Sequence, residues 1–256
     1  MEGTVTIAKS TFFVDYSKPL DISIPLTGTE QNPNAWYLDH PTIKPVVFDN
    51  WEGSVASGKS STNFNSIWFN PHAHGTHTEC LGHITAPFYS INDSLNQFVF
   101  LAQVISIEPR KIGEDYVIAL EDILKISLDK NISALVIRTL PNGEEKTTKQ
   151  YSHTNPPFLD AKAAAYFVEQ NIDHLLIDLP SVDKEKDNGE LLFHKAFWNL
   201  KDTLKPNKDA RFKATITEFI FVPNTILDGL YLLHLQITSL VNDASPSKPI
   251  LYKLKA

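Results

Sequence analysis

The segment Pro71-His72-Ala73-His74-Gly75-Thr76-His77-Thr78-Glu79-Cys80-Leu81-Gly82-His83 concentrates four of the nine histidines in the chain beside a carboxylate and a thiol. On an extended backbone side chains alternate, so His77 and Glu79 share a face at a separation that one divalent cation bridges. His72 and His74 arrive across a Pro/Gly-punctuated bend that can swing either to the same centre. His83, four residues beyond Glu79, is within reach as a further ligand or as a proton carrier beside a metal. A single histidine is usually a core or surface residue, but packing has no use for four of them around a Glu. Neutral imidazoles with a carboxylate suit Zn²⁺ or, with more oxygen ligands, Mn²⁺ or Fe²⁺. A metal centre is the expectation.

Other residues are weighed against that centre. Glu218 lies in an apolar run with Ile216, Phe219 and Ile220, where an unpaired carboxylate is costly to bury. It needs a cation, and from the run alone a salt bridge to Lys or Arg is favoured over a metal. Gly53 to Ser60 matches the phosphate-loop pattern, but the following Ser61 to Pro71 is poor in helix formers and the helix that phosphate binding needs is missing. A hairpin turn is expected there. No Gly-x-Ser-x-Gly elbow exposes a serine nucleophile, so a serine hydrolase using Ser181 ranks low. The single cysteine, Cys80, permits no internal disulfide and alternates away from His77 and Glu79, as a small buried residue would.

The histidine-rich segment resembles the His-x-Gly-Thr-His-x-Asp-x-x-x-His motif of the cyclase-like metal hydrolases, a family that includes bacterial kynurenine formamidase and isatin hydrolase. Gly75-Thr76-His77, Glu79 in place of the Asp, and His83 fall in register. Ala73 occupies the position of the first His, flanked by His72 and His74; His72 is the expected substitute and His74 the alternative. The resemblance extends to Asp21-Ile22-Ser23-Ile24-Pro25-Leu26, to Ile177-Asp178-Leu179-Pro180-Ser181-Val182-Asp183, and to the tail through Asp243-Ala244-Ser245-Pro246. It implies metal ligands His72, His77, Glu79, His194 on a short helix and Glu218 on a strand, with His83 as the catalytic proton carrier. It implies one or two Zn²⁺ or Mn²⁺ ions, a homodimer, and hydrolysis of a linear or cyclic amide by metal-activated water. N-formylkynurenine is the substrate it suggests most readily, which would set the protein in tryptophan catabolism. Ala73 and Glu79 keep open a metal-binding family member without catalysis. The implied fold is a mixed, strand-rich α/β domain of the swivelling β/β/α type, with a central barrel-like sheet and peripheral helices.

The elements that must position these residues follow from periodicity. Strands are expected at Leu20–Leu26, Phe64–Phe69, Phe98–Ile107, Ala134–Thr139, His174–Asp183 and Phe212–Val222, and helices at Glu121–Lys130, Leu159–Asn171 and Leu191–Leu200. The helix between two apolar strands suggests a β-α-β crossover. Asn32–Pro45 reads as a loop whose Trp36 and Tyr37 could wall a pocket, and Pro141–Pro157 as a long loop able to act as a lid. With no repeat or linker, 1–256 reads as one domain. A net charge of −7 argues against a nucleic-acid partner. Hydrophobic content of 42% and charged content of 21% are those of a soluble globular protein, without a bilayer-spanning run or a signal peptide. The expected compartment is the cytoplasm.

Overall fold

Apolar residues alternate between two buried faces along the central strands, and that alternation organises the molecule. The computed structural model describes residues 1–7 and 9–255. The main sheet has ten strands, the two-residue Leu20–Asp21 against the last strand and nine others: β1 (Glu2–Ile7), β2 (Ser10–Asp15), β3 (His77–Glu79), β4 (Val99–Ile107), β5 (Ala134–Thr139), β6 (His174–Ile177), β7 (Thr215–Glu218), β8 (Gly229–Ile237) and β9 (Ala244–Lys255). Seven of them close on themselves in the order β9-β8-β4-β5-β6-β7-β3, with β3 pairing back onto β9. Strands β4, β5, β6 and β7 run parallel, while β3 and β8 are antiparallel to their neighbours. The β1–β2 hairpin extends the far end of β9.

Parallel strands buried on both faces read as continuous apolar runs, and the two faces of these strands serve two cores. Ala102 and Val104 of β4, Ala134 and Val136 of β5 and Leu176 of β6 fill one cluster with Leu233 and Leu251 from β8 and β9. Ile105, Leu135, Ile137, Leu175 and Ile177 point the other way. There they pack under helices α1 (Ala161–Glu169) and α2 (Leu192–Phe197), against Phe167, Phe193, Phe197 and Trp198. Asp160 starts α1 by accepting from the Lys162 N–H at 3.0 Å, as an N-cap aspartate does. The parallel pairing of β5 with β6, joined through α1, is the expected β-α-β unit.

Four expected elements differ. The helix expected at Glu121–Lys130 is a single turn, Leu120–Ile123. Beyond it Gln103 takes over the backbone, its amide donating to the Ser127 carbonyl and accepting from the Asp129 N–H. Leu20–Leu26 shortens to Leu20–Asp21, because the side chain of Asp21 turns back to the Ser23 N–H and hydroxyl. Within the expected loop Asn32–Pro45, Thr42–Pro45 pairs with Asn65–Trp68 to form an arm. The expected lid, Pro141–Pro157, is tied down rather than free. Lys146 and Tyr151 are buried, and the Tyr151 N–H donates to the Asn34 carbonyl. Within Gly53–Ser60 the chain makes an exposed turn at 55–58, as expected, while Gly53 is buried. Among the described residues no helix is long and apolar enough to cross a membrane.

Candidate metal centre

Strand β3 sits between β7 and β9, and its register delivers the site. His77 faces Glu218 directly across the β3–β7 pair, so both side chains emerge on one face. Glu79 emerges beside them, while Thr78 turns to the opposite face and meets the Thr217 hydroxyl at 2.8 Å. The Thr76 hydroxyl fixes the chain as it enters β3: it accepts from the Ile24 N–H at 2.8 Å and donates to the Phe219 carbonyl.

Glu79 is fully buried at the centre of four imidazoles. Its Oε2 lies 3.0 Å from His72 Nδ1, 3.8 Å from His77 Nε2 and 3.9 Å from His83 Nε2. Its Oε1 lies 3.1 Å from His194 Nε2. Burial alone would raise the Glu79 carboxyl, but His83, His194 and His72 outweigh it and hold the group well below the ordinary carboxylate range. The same contacts act on the histidines. Burial would lower His72, yet Asp243 and Glu79 lift it to about 10; burial would lower His194, yet Asp183 and Glu79 lift it to about 10.

The rings are oriented from behind. His77 Nδ1 donates to the Gly75 carbonyl at 3.0 Å, leaving Nε2 facing the centre. His194 Nδ1 lies 2.6 Å from Asp183 Oδ2, and the same carboxylate accepts from the Phe193 and His194 N–H groups at the start of α2. Pinning the outer nitrogen selects the tautomer whose inner nitrogen carries a lone pair for a cation. Glu218 Oε2 is 3.5 Å from His77 Nε2, while its Oε1 accepts from the Val182 N–H at 2.9 Å.

Three atoms here are buried without a well-aligned hydrogen bond: His77 Nε2, and His72 Nδ1 and Glu79 Oε2, which face each other at 3.0 Å. Such groups are costly to bury, and these three converge. One ligand atom from each lies within 4.8 Å of the others, and the same holds for Glu79, His83 and His194. The residues therefore fit a divalent ion, and Glu79 faces both groups and could bridge two.

All the expected site residues come together: His72, His77, Glu79, His83, His194 and Glu218. His74 does not. Its Nδ1 accepts from the Asn70 N–H at 2.8 Å, and its ring lines a separate cavity with Ile24, Phe69 and Ser247. The bend explains why His72 takes the place of the motif's first His. Ala73 is fully buried, with its carbonyl accepting from the Ala35 N–H, so position 73 faces inward and 72 faces the pocket. Cys80 is buried, and burial raises its thiol to about 11. Ser181 Oγ accepts from the Asp183 N–H, and among the described residues no imidazole hydrogen-bonds it, so a serine nucleophile would lack its base.

Two residues with a place here were not singled out in the sequence. Asp183 orients His194, and Asp243 touches both His72 and His83. Neither lies in a histidine-rich stretch, and only a contact map joins them to one. The centre opens into a cavity of about 340 Å³ walled by Trp36, Leu38 and Leu191, with Lys184 and Asp187 among its polar lining.

The Cyclase family model matches residues 16–184. No curated protein sequence matches the chain. Among solved structures, the chain is similar to a predicted metal-dependent hydrolase from Bacillus stearothermophilus at 16% identity and a TM-score of 0.62, over 92% of this chain and 98% of that one. It is similar to an isatin hydrolase bound to the product analogue thioisatinate at 14% identity and a TM-score of 0.63, over 93% of each chain. Isatin hydrolase A from Labrenzia aggregata, bound to benzyl benzoate, aligns at 14% identity and a TM-score of 0.62, over 92% of this chain and 93% of that one. At these identities the likeness is one of fold.

Proposed function

This chain belongs to the Cyclase family, and on that premise we propose that it is a metal-dependent hydrolase cleaving a linear or cyclic amide, with an arylformamide of the N-formylkynurenine type as the first substrate class to test. The observation that carries the proposal is the convergence on one point of three buried ligand atoms without a well-aligned hydrogen bond. His72, His77 and Glu79, with Glu218 beside His77, would hold one Zn²⁺ or Mn²⁺ ion; Glu79, His83 and His194 form the group that would hold a second. When bound, such an ion supplies a water whose pKa falls from 15.7 to about 7 and polarises the substrate carbonyl.

The chain's own residues do the rest. Asp183 and the Gly75 carbonyl hold His194 and His77 with their Nε2 atoms turned toward Glu79. His83, more exposed than the other imidazoles at 30% of its side chain, can take a proton and deliver it to the departing nitrogen. Trp36, Leu38 and Leu191 offer an apolar slot for a flat ring, the usual composition of a small-molecule pocket.

The test is hydrolysis of N-formylkynurenine, simpler formamides and isatin-like lactams by protein as purified, after chelator dialysis and after restoration of Zn²⁺ or Mn²⁺. Turnover lost on dialysis and regained with metal is expected. Turnover indifferent to chelators would sink the proposal, and bound metal without turnover of any amide would favour a binding protein.

We further propose a cytoplasmic homodimer assembled through the arm. In and beside it Val47, Phe48, Phe64 and Ile67 are 68%, 71%, 58% and 57% exposed, large apolar side chains of the kind that an interface between copies covers. Sedimentation velocity at micromolar concentration should show a dimer that Phe48→Asp with Ile67→Asp converts to monomer. A monomeric parent would refute it.

A further inference from the structure

Asp243 is the residue immediately before β9, and backbone pairing fixes it against the metal strand. Its carbonyl accepts from the Cys80 N–H at 3.0 Å, and the next residue, Ala244, lies opposite Glu79 in the β9–β3 pair. From there a single carboxylate oxygen, Oδ2, lies 2.8 Å from His72 Nε2 and 3.5 Å from His83 Nδ1. The two rings stack with centroids 4.1 Å apart and planes inclined by 26°.

Asp243 engages the outer nitrogens only. With Nε2 of His72 committed to Asp243, Nδ1 is the nitrogen left facing the centre, 3.0 Å from Glu79 Oε2, and it offers a lone pair to a cation once its proton is released. Asp183 stands in the same relation to His194 from the other side of Glu79. His72 approaches from one residue earlier than the motif's first histidine, on a bend rather than within the Gly-Thr-His run. It therefore needs an orienting contact that the strand does not supply.

We propose that Asp243 is a positioning residue that holds His72 as a metal ligand through its Nδ1 and, with the same oxygen, holds His83 in the orientation that directs Nε2 toward the centre. This rests on the metal-hydrolase proposal. Carboxylates placed behind metal-ligating histidines typically contribute about 10–100-fold in metal affinity.

The experiment compares the parent, Asp243→Asn and Asp243→Glu by competition for Zn²⁺ with a chromogenic chelator, by thermal unfolding of the metal-free proteins, and by long-range ¹H–¹⁵N spectra of the His72 and His83 rings. The expected result is a loss of about 10–100-fold in Zn²⁺ affinity for Asp243→Asn, substantially recovered in Asp243→Glu, with a changed His72 ring pattern and a metal-free protein that still unfolds cooperatively. Parent-like affinity in Asp243→Asn overturns the proposal while leaving the hydrolase reading intact. Affinity lost only together with cooperative unfolding also overturns it, making Asp243 a stability residue. A parent that binds no Zn²⁺ sinks the hydrolase reading itself; the hold on His72 then stands if its ring pattern differs between parent and Asp243→Asn, and falls if the patterns coincide.

Discussion

His77→Ala should leave a folded protein with no stoichiometric metal and amide hydrolysis at background. His77 is the one imidazole of the centre whose side chain is completely buried, and its Nε2 faces both Glu79 and Glu218 with no hydrogen-bond partner. Removing the buried ring also removes its bond to the Gly75 carbonyl and leaves a cavity, so the variant should unfold at a lower temperature than the parent when both are stripped. Adding metal widens the gap. At a free ion concentration about 1,000 times Kd, binding stabilises the native state by about 4 kcal/mol. For a chain of this length that is about 8–16 °C in Tm. The parent should show that rise and His77→Ala should not. Elemental analysis and calorimetry of the two proteins check it. Equal metal content, or an equal rise, would remove His77 from the centre.

That experiment probes the part of the site most legible from the sequence. The alternation of His77 and Glu79 on a strand is local; Glu218 was legible only as a buried carboxylate needing a cation, and its place opposite His77 came through the resemblance, because that pairing joins distant parts of the chain. The position of His72 was legible only as a choice between two neighbours, because a bend of irregular backbone has no period to extrapolate. What decides it is the burial of Ala73, a tertiary fact. Asp183 and Asp243 escaped notice for the same reason. Each reaches its histidine through chain closure, across 11 residues between Asp183 and His194 and 171 between His72 and Asp243. The central strands were legible because burial on both faces leaves uninterrupted apolar runs. Barrel closure was not, since the β3–β9 pairing joins three residues of β3 to the start of the last strand and leaves no mark in composition. The helix expected at Glu121–Lys130 failed because Leu120, Ile123, Leu124 and Leu128 carry helical spacing, while the Gln103 side chain claims the backbone beyond the first turn.

Lys146→Met should cost about 3–5 kcal/mol, the effect of breaking a buried ion pair and stranding its partner. Lys146 Nζ donates to Asp178 Oδ2 at 2.8 Å, to the Thr139 carbonyl at 2.6 Å and to the Thr139 hydroxyl at 2.8 Å. Asp178, 1% exposed, also accepts from the Thr139 N–H with both oxygens. The pair closes the long loop onto the end of β5 and holds the start of Leu179–Asp183. That segment sends the Val182 N–H to Glu218 and Asp183 to His194. Burial raises the Asp178 carboxyl above its ordinary 3.8 even with Lys146 and the Thr139 contacts pulling it down. Without the ammonium it should rise further. The unfolded chain releases the Asp178 proton near 3.8, whereas the folded variant keeps it to a higher pH. Stability must therefore fall as pH rises through that interval, and the loss against the parent should be larger at pH 8 than at pH 5. Adding Asp178→Asn removes the stranded charge while keeping an acceptor for Thr139, so the double variant should recover more than half of the loss. Urea unfolding of the parent, Lys146→Met and the double variant at both pH values measures this. A pH-independent loss, or a double variant no better than Lys146→Met, would mean that the cost lies in the lysine's packing rather than in the charge it compensates.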